Sequence, residues 1–206
     1  MKYKGIAYSD EQYKGGYQKI PGKIMCAYYD IGGEGVAYHD EDGVNHGSGE
    51  LNPVDGSYLH SFRIDEGVST SYVKYVDEID NNPYNSFLPD EHMLYVGWTK
   101  PGNWINITVD VEKTGIYAVS LLYTSRFGGK ISLSVNEEDK TGPIDILTTY
   151  TEDDPVEWRQ WHHWNLTEIT SIELEKGINT LTIHTLENGN MNYAYLNFVE
   201  VSESKT

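Results

Sequence analysis

The chain is poor in cysteine, in basic side chains and in long apolar runs. Cys26 is the single cysteine among 206 residues, so neither an internal disulfide nor a thiolate metal cage can form. Within "IMCAYY" it reads as a small buried hydrophobe. Lysine and arginine number 15 against 32 aspartates and glutamates, for a net charge of −17. That field repels phosphate backbones and anionic lipid, which excludes nucleic acid as a natural partner and disfavours a membrane surface or a strongly anionic polymer. No apolar run approaches a membrane span, and the start "MKYKGIAYSD" has no signal-type core. An export signal, if the protein works outside the cell, is expected to have been removed or to lie on a larger parent chain. Long period-3.6 stretches, Gly-rich phosphate loops and Gly-x-Ser-x-Gly elbows are also missing.

What the chain has in excess is aromatic residues, 13% overall with 17 Tyr. Three of its five Trp fall in "PVEWRQWHHWNL": Trp158, Trp161 and Trp164. Pro155 before the run and strands after it argue against a helix. In a strand, Trp158 and Trp164 share a face and Trp161 takes the other. At least one is expected in the core and at least one outside, where a flat indole can stack on the apolar face of a pyranose ring. The alternative is that all three are packed. In "LYVGWTKPGNWINITV", Trp98 stands before a Lys-Pro-Gly turn as a candidate exposed plane, while Trp104 opens a strand and is expected in the core. Asn188, Asn190 and Asn192 precede the last strand. Amides donate and accept, which suits sugar hydroxyls, but ordinary turn chemistry is the preferred reading for Asn188 and Asn190.

Residues 1–22 are polar, Tyr-rich and without clear period, and read as a linker or tail. The domain is expected over 23–203. "KIMCAYY" is the expected first strand. Residues 30–92 are long, irregular and rich in turn formers, which in a compact domain points to a functional segment. Period-2 alternation then dominates: Ile105, Ile107, Val109 and Val111 share a face; so do Ile131, Leu133 and Val135; and Ala194, Leu196 and Phe198 are expected inward in the last strand. The fold class is all-β, a two-sheet antiparallel sandwich.

In order along the chain, "KIMCAYYDIGGEG", "VGWTKPGNWINITV", "IYAVSLLYT", Trp158 with Trp161, "LEKGINTL" and "NYAYLNF" resemble the motifs of the family 6 carbohydrate-binding modules over roughly residues 23–201. "GGEGVAYHD", "GSGELNP" and "YVGWT" resemble a subgroup appended to hydrolases of Bacteroides-type bacteria. The resemblance implies a jelly roll of the galactose-binding-domain type. It implies a sugar cleft with Trp98 as one aromatic wall, Trp161 or alternatively Trp158 as the other, Asn192 as the hydroxyl-reading amide and Glu34 as an acidic helper. A neutral poly- or oligosaccharide is the implied partner, together with a catalytic domain on the parent chain. The implied location is extracellular, periplasmic or at the cell surface. The family's structural calcium uses side-chain oxygens where this chain has Met25, Ala27 and Ala194. Thioether and methyl groups do not hold a hard cation, so no cofactor is expected.

Two other functions compete. One is a structural or protein-interaction sandwich that has lost the cleft. The other is a polysaccharide-degrading enzyme, for which Glu34, Asp40, Asp42, Glu50 and Glu157 are the paper candidates; solvated carboxylates are abundant in so acidic a chain, and this reading is the weaker. His162 and His163 are adjacent, lack a partner at ligand spacing and read as edge or loop polar residues. "DEDGVN" at 40–45 falls short of a calcium loop.

Overall fold

In a computed structural model, which describes residues 3–201, the chain forms two facing β-sheets and no α-helix among the described residues. One sheet runs β1 (Gln18–Ile20), β6 (Trp104–Val111), β12 (Gly177–Glu187), β8 (Gly129–Val135), β10 (Ile144–Ile146), with β3 (Tyr38–His39) on β6 and β9 (Glu138–Asp139) on β8. The other runs β11 (Asn165–Leu174), β7 (Gly115–Thr124), β13 (Asn192–Glu200), β5 (Leu94–Val96), β4 (Thr70–Tyr72), with β2 (Gly22–Met25) also on β13. Every pairing is antiparallel except β1 with β6.

The alternation explains the layers. Ile105, Ile107, Val109 and Val111 of β6 meet Ile131, Leu133 and Val135 of β8, and Val119, Leu121, Leu196 and Phe198 of the opposite sheet, in one buried cluster. Burying one such aliphatic side chain contributes about 1.5–3 kcal/mol. Trp104, the even neighbour of that series, is partly exposed on the other face of its sheet, with its ring 6.4 Å from His39. The expectation that it faces the core is corrected by strand parity.

Two further expectations change. Residues 1–22 were expected to be a tail, but β1 lies within the first sheet, Ile20 is fully buried in the main core, and Tyr13 stacks on Tyr28 at 3.8 Å. The 22/23 boundary therefore does not separate a tail from the domain; position 203 lies outside the described residues. "KIMCAYY" is a strand only to Met25, and Cys26–Tyr28 is a single 3-10 turn. Cys26 is fully buried, which pushes its thiol pKa up.

A bulge sets the end of β13. Tyr193 pairs with Tyr123 and Tyr195 with Leu122, leaving Ala194 unmatched. The extra residue inverts the alternation: Leu196, Phe198 and Tyr193 face the main core, whereas Ala194 and Tyr195 pack in a second cluster with Trp164, Tyr95 and Leu122. Ala194 is buried, but not among Leu196 and Phe198 as the simple pattern implied. The same inversion turns Asn192 away from the main core.

Candidate functional site: an aromatic cleft at the sandwich rim

The tryptophan run owes its shape to local geometry. Glu157–Trp161 is a 3-10 turn, in which residues three apart lie over one another. Trp158 and Trp161 therefore share a side, contrary to the expectation that no helical turn forms after Pro155. The turn ends at Trp161, and Trp164 swings inward as β11 begins, to become fully buried against Tyr95. Trp158 stays 50% exposed. One indole in the core and one outside is the division expected.

Buried polar groups hold this turn. The covered carboxylate of Asp154 accepts Arg159 Nε–H at 2.7 Å and Arg159 NH2 at 2.9 Å, His163 Nε2–H at 2.8 Å and the Val156 N–H at 3.0 Å. Arg159 hydrogen bonding holds the Asp154 carboxyl well below the usual carboxylate range. His163, expected at an edge or loop surface, is instead buried in this network. From the long early segment, Asn82 donates to the His162 carbonyl at 3.0 Å, and Asn85 accepts the Trp164 N–H at 2.9 Å. The segment thus braces the turn.

Trp98 follows β5 with φ of +49°, a left-handed conformation costing a bulky L-residue about 1–2 kcal/mol. Its neighbours fix it there. Gly97 N–H bonds to the Ser69 carbonyl, Thr99 Oγ1 donates to the Met191 carbonyl, and Asn190 N–H bonds to the Thr99 carbonyl. Gly97 is needed for another reason, since a Cβ there would stand 2.6 Å from Asn192 Oδ1. Asn192 donates both amide hydrogens, to Thr124 Oγ1 at 2.8 Å and to the Trp161 carbonyl at 3.0 Å. It therefore clamps the Trp161 backbone and leaves Oδ1 as its acceptor on the Gly97 side.

Trp98, Trp158, Trp161 and Asn192 line one open cleft of about 490 Å³, with Leu51, Tyr95, His162 and Asn190. Phe127 meets the edge of Trp161 at 5.4 Å. Four of the five sequence-identified positions are brought together. Glu34 is not: its carboxylate is held by His39 Nδ1 at 2.5 Å and the Asp40 N–H at 3.1 Å, and the early segment lends the cleft Leu51 instead. Asn190, read as turn chemistry, lines the cleft, and so does His162, read as an edge residue. The tight spacing of His162 after Trp161 was the available signal. Of the candidate carboxylates, none lines the cleft; Glu157 pairs with Arg126 at 2.5 Å, and Asp42 and Glu50 flank His46 at 2.9 Å each.

Met25 and Ala194 sit in the cluster around Trp164, and Ala27 packs with Tyr8, Phe62 and Leu94. These positions offer no side-chain oxygen, so the residues present do not fit the calcium that the resemblance implies.

The chain matches no protein-family profile. It is 36% identical over 89 residues to mannan endo-1,4-beta-mannosidase A of Piromyces sp, a match covering 42% of this chain and 12% of that protein. The chain thus corresponds to about an eighth of the curated relative's length. Among solved structures, a β-1,3-glucan binding CBM6 from Bacillus halodurans superposes with a TM-score of 0.53 at 13% identity, covering 88% of this chain and 98% of that one. A glycoside hydrolase family 43 arabinoxylan arabinofuranohydrolase from Bacillus subtilis, in complex with cellotetraose, gives 0.55 at 10% identity, covering 95% of this chain and 33% of that one. The two-sheet fold is the one found in the β-1,3-glucan binding CBM6.

Proposed function

We propose that this domain is a non-catalytic carbohydrate-binding module. It seats a neutral polysaccharide in the cleft of Trp98, Trp158 and Trp161, reads hydroxyls through Asn192, and keeps an attached glycoside hydrolase near its substrate. The observation that carries the proposal is the meeting of three partly exposed indoles and an amide acceptor in a cleft whose lining has no carboxylate, lysine or arginine. Flat rings reward the apolar faces of pyranoses. The lining itself carries no charged side chain, and the Arg126 guanidinium 5.3 Å from the Trp161 ring is paired with Glu157, which favours a neutral chain over a uronate. Glycoside cleavage by the common route needs two carboxylates flanking the bond, which this lining does not supply. Binding of this kind needs no calcium. It also places the domain where polysaccharide is met, outside the cell, in a periplasm or at the cell surface.

The mannanase relative makes β-1,4-mannan the first polysaccharide to test. A shallow cleft covers few sugar atoms, so single-site affinity is expected on the order of 10⁻³ to 10⁻⁵ M, and tethering then acts by raising local concentration. Native affinity electrophoresis against mannan, β-1,3-glucan, arabinoxylan and polygalacturonate tests the reading. Retardation by a neutral polymer, lost in Trp98→Ala and Trp161→Ala, is expected. Retardation by polygalacturonate alone overturns it.

A further inference from the structure

We propose that His162 is a specificity-determining residue of this cleft, with Nε2 presented to a sugar hydroxyl and the ring fixed from behind by the buried carboxylate of Asp80. The inference rests on the carbohydrate reading of the same cleft and adds to it a reader outside the aromatic and amide set.

His162 lines the cleft beside Trp158 and Trp161. Its Nδ1 lies 2.9 Å from Asp80 Oδ1, and Asp80 is fully buried. That oxygen also accepts the Trp164 indole N–H at 2.7 Å, while Oδ2 accepts the Lys74 N–H at 2.7 Å. A carboxylate so engaged only accepts, so the imidazole proton on that side sits on Nδ1. Asp80 is itself fixed: its N–H bonds to the Lys74 carbonyl, and its own carbonyl accepts Asn85 Nδ2–H at 2.6 Å.

The ring cannot easily turn away. The His162 N–H bonds to the Arg159 carbonyl, and the His162 carbonyl accepts Asn82 Nδ2–H at 3.0 Å. The Trp158 indole closes edge-on at 6.1 Å and 73°. The His162 side chain is 19% exposed, and Nε2 pairs with no described residue. An imidazole with one nitrogen anchored to a buried acid and the other unpaired among indoles is oriented before a ligand arrives. A hydroxyl both donates and accepts, so it pairs with Nε2 in either protonation state. Asp80 acts through His162 and is a positioning residue.

The test is a titration of the ¹⁵N-labelled 206-residue chain with mannotetraose, cellotetraose and laminaritetraose. It follows imidazole nitrogens and indole N–H groups by NMR, with affinities by calorimetry. In the free protein Nδ1 of His162 is expected to carry the proton. For the tetrasaccharide that moves the Trp98 or Trp161 indole signals, His162 Nε2 is expected to shift as well. His162→Ala is expected to weaken that sugar about 3- to 10-fold, the worth of one hydrogen bond. Asp80→Asn is expected to broaden the His162 ring signals and weaken binding, with no further loss in the His162→Ala background; a merely structural role would add. The wild-type titration stands even if Asp80→Asn fails to fold. Indole shifts with a stationary Nε2, and His162→Ala binding within twofold of wild type, overturn the role of His162 and leave the carbohydrate reading intact. Indoles unmoved by all three sugars overturn both.

Discussion

Two open depressions of about 490 Å³ lie on this domain, and their walls differ in what is left unpaired. The one on the sheet face is lined by Tyr3, Trp104, Asn106, Ser134, Glu137, Thr182 and His184, among others. Some of its polar groups answer one another: Asn106 donates to the Val36 carbonyl and accepts from Thr182 at 2.6 Å, and Ser134 pairs with His184 at 3.1 Å. The rim cleft spends its hydrogen bonds on its scaffold instead. Asn192 donates backward to Thr124 and the Trp161 carbonyl, and His162 backward to Asp80. Acceptors and indole planes are then left on the open side. Equal volume thus accompanies different linings, and the irregular segments make the difference.

The largest expected effect breaks the scaffold of the rim cleft alone. Asp154→Ala strands Arg159 and His163 without their buried acid, and a loss of about 3 kcal/mol is expected, read by urea unfolding. The same group carries a pH signature. Its folded carboxyl pKa is lowered from an unfolded value of about 3.9. Its stabilisation is therefore fully present above roughly pH 5 and is lost as the pH falls below that. A flat stability between pH 6 and pH 2 that matches Asp154→Asn would contradict it.

Next in size, Trp161→Ala is expected to weaken sugar binding by about 30-fold, the scale of a 2 kcal/mol anchor, measured by calorimetry. Gly97→Ala sharpens the comparison without touching a ring. Its methyl would stand 2.6 Å from Asn192 Oδ1, and the amide, tied to two acceptors, cannot retreat without releasing Trp161; a roughly tenfold loss is expected, about 1.4 kcal/mol. Trp104→Ala on the sheet face is expected to change affinity less than twofold. The smallest effect is that of a chelator: excess EDTA should leave affinity unchanged, because Met25, Ala27 and Ala194 give calcium no side-chain oxygen.

The regular strands were legible in the sequence because alternation and burial agree. Ile105 to Val111 and Ile131 to Val135 behave as the pattern requires. Features without a period were not. Residues 3–20 join the domain through a short parallel pairing and tyrosine stacking, neither of which leaves alternation in the sequence. The bulge at Ala194 is invisible to a strict period of two, yet it decides which way Asn192 faces. Trp98, Trp158, Trp161 and Asn192 were placed by family resemblance, and the geometry brings them together. Glu34 was misplaced because a carboxylate in a polar loop takes the nearest donors, here His39 and the Asp40 amide. His162 was read as an edge or loop residue because the contact that orients it is with Asp80, 82 residues away in sequence.

The most direct measurement is native affinity electrophoresis of wild type, Trp161→Ala and Trp104→Ala side by side in mannan, β-1,3-glucan and arabinoxylan gels. Slowed migration of wild type and Trp104→Ala in at least one gel, with Trp161→Ala running as in a polymer-free gel, is the expected result. Retardation that survives Trp161→Ala but disappears in Trp104→Ala, or no retardation of wild type by any of the three, would contradict the assignment of sugar binding to the rim indoles.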